Sequence, residues 1–177
     1  MRILAISGSL RAESSNSRLL RAAAAVAQED TAVVPFAGVD TLPHFNPDRD
    51  DDDPPAAVAA FRAEVAAAKA LMICSPEYAH GVPGSLKNAL DWLVGSGEII
   101  DKPVAVINAS ARSQFAHAQL VETLTVMSAR VIATASIAIP LDGRKLSAEE
   151  MAADPGVSSL LREVLSELSR AVVRANE

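Results

Sequence analysis

The chain has 177 residues, half of them hydrophobic, and a formal net charge of −6, a size that suits one hydrophobic core and one globular domain over residues 1–177. The thin spread of Lys and Arg excludes an electrostatic footprint for nucleic acid, and the single cysteine, Cys74, excludes a disulfide framework or a Cys-based zinc site. No apolar run reaches the ~18 residues of a membrane span, and the apolar stretch after Arg2 is too short for a secretory signal, so a reducing, cytoplasmic setting is expected.

Short β-branched apolar runs alternate with longer helical patterns. The runs cover residues 2–7, 32–36, 70–75, 104–108 and 131–139. Four of these are nearly continuous in apolar residues, as strands covered by helices on both faces require. A helix is predicted over 16–28 and another over 55–68, with Val58, Phe61 and Val65 on one face. A short third helix carries Leu86, Leu90, Leu93 and Val94, a fourth carries Leu120, Leu124 and Met127, and a fifth is capped by Ser158 and striped by Leu161, Val164, Leu165 and Leu168. Right-handed crossovers then give a three-layer α/β sandwich around a five-stranded parallel sheet of order 2-1-3-4-5.

Two loops stand apart. Residues 42–54 hold three prolines and the acidic run Asp48, Asp50, Asp51, Asp52 and Asp53. They lack the spacing of a calcium loop and read as solvated surface. Residues 141–156 are charged, rich in turn residues, and expected as mobile surface.

Chemistry concentrates after the first and third strands. Gly8-Ser9-Leu10-Arg11-Ala12-Glu13-Ser14-Ser15-Asn16 leaves a strand and opens a helix, where free backbone N–H groups and the positive end of the helix dipole meet at the sheet's carboxyl edge. Ser9, Ser14, Ser15 and Asn16 add neutral donors and Arg11 a charged one, which suits a phosphate monoester. Helix capping by Ser and Asn, with a solvated Arg11, is the competing reading. Neither G-x-x-x-x-G-K-S/T nor a strand-borne G-x-G-x-x-G is present.

The third run ends in Ser75-Pro76-Glu77-Tyr78-Ala79-His80-Gly81-Val82-Pro83-Gly84 and enters a helix through Ser85 to Trp92. In the order 2-1-3-4-5 this loop faces the first one across the topological switch point. Pro76, Tyr78 and exposed backbone form a wall for a planar heterocycle, and an ordinary half-buried Tyr78 is the alternative. His44, His80 and His117 lack metal-ligand spacing, and no G-x-S-x-G elbow occurs, so no metal site or esterase triad is predicted.

The two segments G-S-L-R-x-x-S-x-N-x-x-L, Gly8 to Leu19, and P-E-Y-x-x-x-x-P-G-x-L-K-N-A-L-D-W, Pro76 to Trp92, resemble the NAD(P)H-dependent FMN reductases, relatives of quinone and chromate reductases with a flavodoxin-like fold. The resemblance implies bound FMN as cofactor and NAD(P)H as electron donor. It implies that Ser9, Arg11, Ser14, Ser15 and Asn16 surround the FMN phosphate, that Pro76, Glu77, Tyr78 and Gly81 border the ring, with Glu77 acting mainly through its backbone, and that Ser110 lies near it. The flavin carries the hydride chemistry, so no side chain is catalytic by itself. A quinone, free flavin, azo compound or metal oxyanion such as chromate would be the acceptor, and a homodimer or homotetramer the assembly, with Trp92 either a subunit contact or a core residue.

Two departures from the family pattern stand out. Ala79 replaces the usual Asn, leaving the ring edge to weaker contacts or to His80. After the fourth strand Ser110 is kept, but the glycine-rich turn is replaced by Ala111-Arg112-Ser113-Gln114. Arg112 then stabilises reduced flavin, reaches a nicotinamide nucleotide phosphate, or is a plain surface arginine. A flavodoxin-type electron carrier and a flavin-binding sensor are the rival functions.

Overall fold

The computed structural model describes residues 1–141 and 143–175. Five parallel strands, β1 (Arg2–Ser7), β2 (Ala32–Phe36), β3 (Ala70–Cys74), β4 (Pro103–Ile107) and β5 (Arg130–Val131), form one sheet of order β2-β1-β3-β4-β5, the order expected. The helices are α1 (Ser15–Val26), α2 (Ala56–Ala67), α3 (Gly84–Asp91), α4 (Gln114–Val126), α5 (Ala148–Ala153) and α6 (Pro155–Arg174).

The period-two alternation of each strand sorts its side chains onto two cores. Ile3, Ala5, Met72, Cys74, Ala105 and Ile107 pack with Leu19 of α1 and Leu161, Leu165 and Leu168 of α6. Leu4, Ile6, Leu71, Ile73, Val104 and Val106 pack on the other face with Phe61 of α2, Leu90 of α3 and Leu124 of α4. β3 and β4 are buried at all five positions each, which is why they read as unbroken apolar runs. β2 lies at the sheet edge, where Pro35, with no N–H to donate, costs no ladder bond.

Three boundaries differ from expectation. The last strand was expected over 131–139, but regular pairing ends at Val131, and a 3-10 turn (Ala133–Ala135) follows. Here the Ser136 hydroxyl accepts from the Val106 amide at 3.1 Å, so a side chain takes the place of a ladder carbonyl. Only the bridge between Asn108 and Ala138 restores the register. The charged segment after it, whose residue 142 lies outside the described residues, contains α5 over Ala148–Ala153, and there Ser147 and Glu150 form a reciprocal capping box. The last helix begins earlier than Ser158, with Asp154 as its cap and Pro155 in its first turn.

The segment between β2 and α2 is tied to α3. Asn88 Oδ1 accepts from the Phe45 amide at 2.7 Å, Asn88 Nδ2 donates to the Pro43 carbonyl at 3.0 Å, and Trp92 Nε1 donates to the same carbonyl at 2.8 Å. Trp92 is fully buried with its ring edge-on to Phe45, so it is a core residue and not a subunit contact. The acidic run is not wholly solvated either. Asp50 pairs with Arg62, whose Nε also donates to the Trp92 carbonyl at 2.9 Å.

Candidate functional site

The loops after β1 and β3 meet at Gly8. Its amide donates to the Cys74 carbonyl at 2.8 Å, and a Cβ at this position would come within 2.9 Å of Ser75 Oγ and 3.2 Å of Pro76 Cδ. Only glycine permits that approach. The sheet register, with Ser7 opposite Cys74, therefore joins the phosphate-type loop and the ring-type wall directly.

Within the first loop, Ser14 caps α1, its side chain accepting from the Ser17 amide at 3.0 Å. Ser9 Oγ accepts from the Arg11 amide at 3.4 Å. Asn16 is buried, and its Oδ1 accepts from Cys74 Sγ at 3.1 Å. Burial pushes the Cys74 thiol well above its ordinary range, so it stays protonated and serves as a donor. These bonds leave the amides of Leu10, Ala12, Glu13, Ser15 and Asn16 without an acceptor among the described residues. The Arg11 side chain and the Ser15 hydroxyl are likewise unpartnered there. Unpaired N–H groups at a helix start are the donor set an anion requires.

The wall after β3 is a tight hairpin. Tyr78 and Gly81 exchange backbone bonds of 3.1 and 2.9 Å, and the two residues between them, Ala79 and His80, both have positive φ, 49° and 60°. Helix α4 holds this hairpin from outside. Glu77 Oε2 accepts from the Ala116 amide at 2.9 Å, Gln119 Oε1 accepts from the Val82 amide at 2.8 Å, and the rings of His80 and Phe115 stack at 4.2 Å. Tyr78 remains 58% exposed.

The loop after β4 is ordered without glycine. Buried Asn108 accepts through Oδ1 from the Ser110 amide at 3.2 Å, and Ser110 Oγ accepts from the Arg112 amide at 3.3 Å. No residue from 108 to 113 has a positive φ, so these side-chain turns replace the glycines the family pattern led one to expect. The amides of Ala109 and Ala111 have no acceptor among the described residues.

Ser15 and Ser110 line one polar cavity of about 400 Å3, together with Arg112 and two residues not predicted from sequence, Arg144 and Lys145. The pairing of β4 with β5 was the signal available for them, since it sets the loop after β5 beside the loop after β4. Ser9 opens instead on a separate 360 Å3 cavity with Ser17 and Phe36, on the β2 side of the loop. The Glu77 side chain is committed to α4, which leaves its backbone to the crevice. Among the described residues, no three His, Cys, Asp or Glu side chains converge as metal ligands, and no helix is long and apolar enough to cross a membrane.

A five-stranded parallel sheet of this order, with an anion-ready strand-to-helix loop joined to a pinned hairpin wall, defines the class: a flavodoxin-like sandwich with its site at the switch point. The model of the family described as NADPH-dependent FMN reductase matches residues 1–143, and the chain belongs to that family. It is 32% identical over 173 residues to an NAD(P)H-dependent FMN reductase of Pseudomonas aeruginosa, covering 95% of this chain and 93% of that protein. It is 43% identical over 119 residues to "Probable NADPH:quinone oxidoreductase 2" of Oryza sativa, which is 64% of this chain, and it spans only 58% of that relative's length. Among solved structures, the flavoenzyme NAD(P)H:acceptor oxidoreductase FerB of Paracoccus denitrificans superposes with a TM-score of 0.74 at 22% identity, covering 96% of both chains, a likeness of fold.

Proposed function

We propose that the protein binds FMN across the loops following β1, β3 and β4 and uses it to pass reducing equivalents from NAD(P)H to a small acceptor such as a quinone, free flavin, azo compound or chromate. The carrying observation is the row of five acceptor-free amides, Leu10, Ala12, Glu13, Ser15 and Asn16, at the positive end of α1. A phosphate monoester satisfies them, with the Ser15 hydroxyl and Arg11 as further donors. Ser9, Ser14 and Asn16 hold the loop in the shape that aims these donors.

The ring would be held by Pro76, Tyr78, Gly81, Ser110 and the backbone of Glu77. Bound FMN supplies hydride acceptance and release. The chain's own part is to orient the ring between two walls and to offer the free amides of Ala109 and Ala111 to negative charge on it. No side chain is assigned a nucleophilic or proton-transfer step.

The family names of the relatives support the nicotinamide donor and the quinone acceptor. Exposed Val94, Ile100 and Val126 border a groove between the end of α3 and α4, and we assign this face to a homodimer contact, with a homotetramer built on it as the larger form. The acidic charge and lone buried thiol fit a cytoplasmic location.

Fluorescence titration of the apoprotein with FMN and with riboflavin tests the site. FMN is expected to bind at least about tenfold more tightly, the contribution of one or more charge-assisted hydrogen bonds, and Arg11→Ala to narrow the gap. Equal affinities would place the phosphate elsewhere.

A further inference from the structure

Cys74 holds the phosphate-type loop at both of its ends. Its carbonyl accepts from the Gly8 amide at 2.8 Å, where the loop leaves β1, and its thiol donates to Asn16 Oδ1 at 3.1 Å, in the first turn of α1. The Cys74 side chain is fully buried in the core between the sheet and helices α1 and α6, where another small apolar residue would fill the same space. What the thiol adds is a hydrogen-bond donor.

Asn16 receives that bond while only 7% exposed. A side-chain amide has an oxygen that accepts and a nitrogen that donates, and a half turn about its terminal bond exchanges the two. With Oδ1 turned inward to the thiol, Nδ2 faces the other way. Nδ2 has no hydrogen-bond partner among the described residues. It is not one of the sealed, unpartnered side-chain atoms there either, which are Arg18 Nε, His117 Nδ1 and Arg130 Nε. It is therefore a free donor open to solvent, at the loop end where the amides of Ser15 and Asn16 are also free.

The flipped amide would leave Nδ2 against sulfur, a weak acceptor, and would turn Oδ1 towards the anion these donors attract. Burial keeps the thiol protonated, so the donor that prevents the flip is always present. We infer that Cys74 is a positioning residue for the flavin phosphate: by donating to Asn16 Oδ1 it fixes the amide with Nδ2 towards the phosphate, and so raises affinity for FMN over flavin that lacks the phosphate. The inference rests on the FMN reading of the loop. A donor oriented before the ligand arrives forms its charge-assisted bond without first having to be ordered.

Two substitutions separate this role from simple packing. Cys74→Ser keeps a donor and gives up apolar bulk, whereas Cys74→Val keeps apolar bulk in a strand and gives up the donor. Packing and hydrogen bonding predict opposite orders. With thermal melting to verify folding, fluorescence titration of each apoprotein gives the ratio of riboflavin Kd to FMN Kd. The ratio is expected to stay within about twofold of wild type in Cys74→Ser and to fall about tenfold in Cys74→Val. In an Asn16→Ala background, Cys74→Val should lower it no further. NMR relaxation of the Asn16 side-chain amide in the apoprotein gives a readout without flavin: an ordered amide in the wild type and Cys74→Ser, a disordered one in Cys74→Val. A preserved ratio or a fully ordered amide in Cys74→Val overturns the inference. So does a loss in Cys74→Ser equal to that in Cys74→Val, or a further fall in the Asn16→Ala background. Equal wild-type affinities for the two flavins would overturn the FMN reading itself, whereas a wild-type preference that Cys74→Val preserves overturns this inference alone.

Discussion

Glu77 caps helix α4 from a neighbouring loop, its Oε2 accepting from the Ala116 amide at 2.9 Å. The residue at the helix's own cap position, Ser113, makes no side-chain cap bond. A carboxylate at a helix start answers both an orphan amide and the positive dipole end. The bond also fastens the wall after β3 to the helix that follows β4, so the two sides of the ring pocket move together. Glu77→Ala should destabilise the fold by about 1–2 kcal/mol and weaken FMN binding, with Glu77→Gln intermediate in both. Urea denaturation and flavin titration check the pair of effects.

Ala79 carries a backbone conformation that alanine disfavours. Its φ of 49° and that of His80, 60°, form the two centre positions of the Tyr78–Gly81 hairpin. An L-residue with a Cβ pays roughly 1–2 kcal/mol in the left-handed region, and Asn less than others. Ala79→Asn should therefore raise stability by about 0.5–1 kcal/mol, measured as a higher denaturation midpoint at constant m-value.

Asn88 ties down the segment between β2 and α2, where the regular structure is two short 3-10 turns, Val39–Thr41 and Pro47–Arg49. Both ends of its amide are used, on the Phe45 amide and the Pro43 carbonyl. Asn88→Ala leaves two backbone groups to find other partners and should cost about 2–3 kcal/mol, whereas exposed Lys87→Ala on the same helix should cost less than about 0.5 kcal/mol. Chemical denaturation of both variants makes the comparison.

His117 predicts a pH effect. It lies on α4 with a buried Nδ1 that has no hydrogen-bond partner, and burial holds its pKa below the ordinary histidine value. Below about pH 6.5 the unfolded chain takes up a proton here that the folded chain resists. Its contribution is thus fully present above pH ~6.5 and lost as pH falls through the lowered folded value. The melting temperature should drop less between neutral and mildly acidic pH in His117→Gln than in the wild type.

Much of this arrangement is legible in the sequence, and what is not has physical reasons. The fully buried strands β3 and β4 announce themselves because every position is apolar. β5 misleads because the apolar run continues to residue 139, while at Val106 the Ser136 hydroxyl stands in for a backbone acceptor and interrupts the ladder. The capping box of Ser147 and Glu150 that starts α5 was written in the sequence, but the charged composition around it reads as loop. For Trp92, helical spacing fits core and interface equally, and only the Pro43 carbonyl beneath its indole nitrogen decides for the core. The phosphate-type loop was visible by residue type. Which of its groups are free was not, because Ser14 turns to capping and Asn16 turns to Cys74, a partner 58 residues away that only the sheet register supplies.

Anaerobic mixing of the FMN-loaded protein with excess NADPH tests the central claim most directly. Rapid bleaching of the visible flavin band, followed by its return when a quinone is added, is the predicted result. Flavin that binds but keeps its colour with NADPH and with NADH would contradict the reductase reading and leave a carrier or sensor in its place.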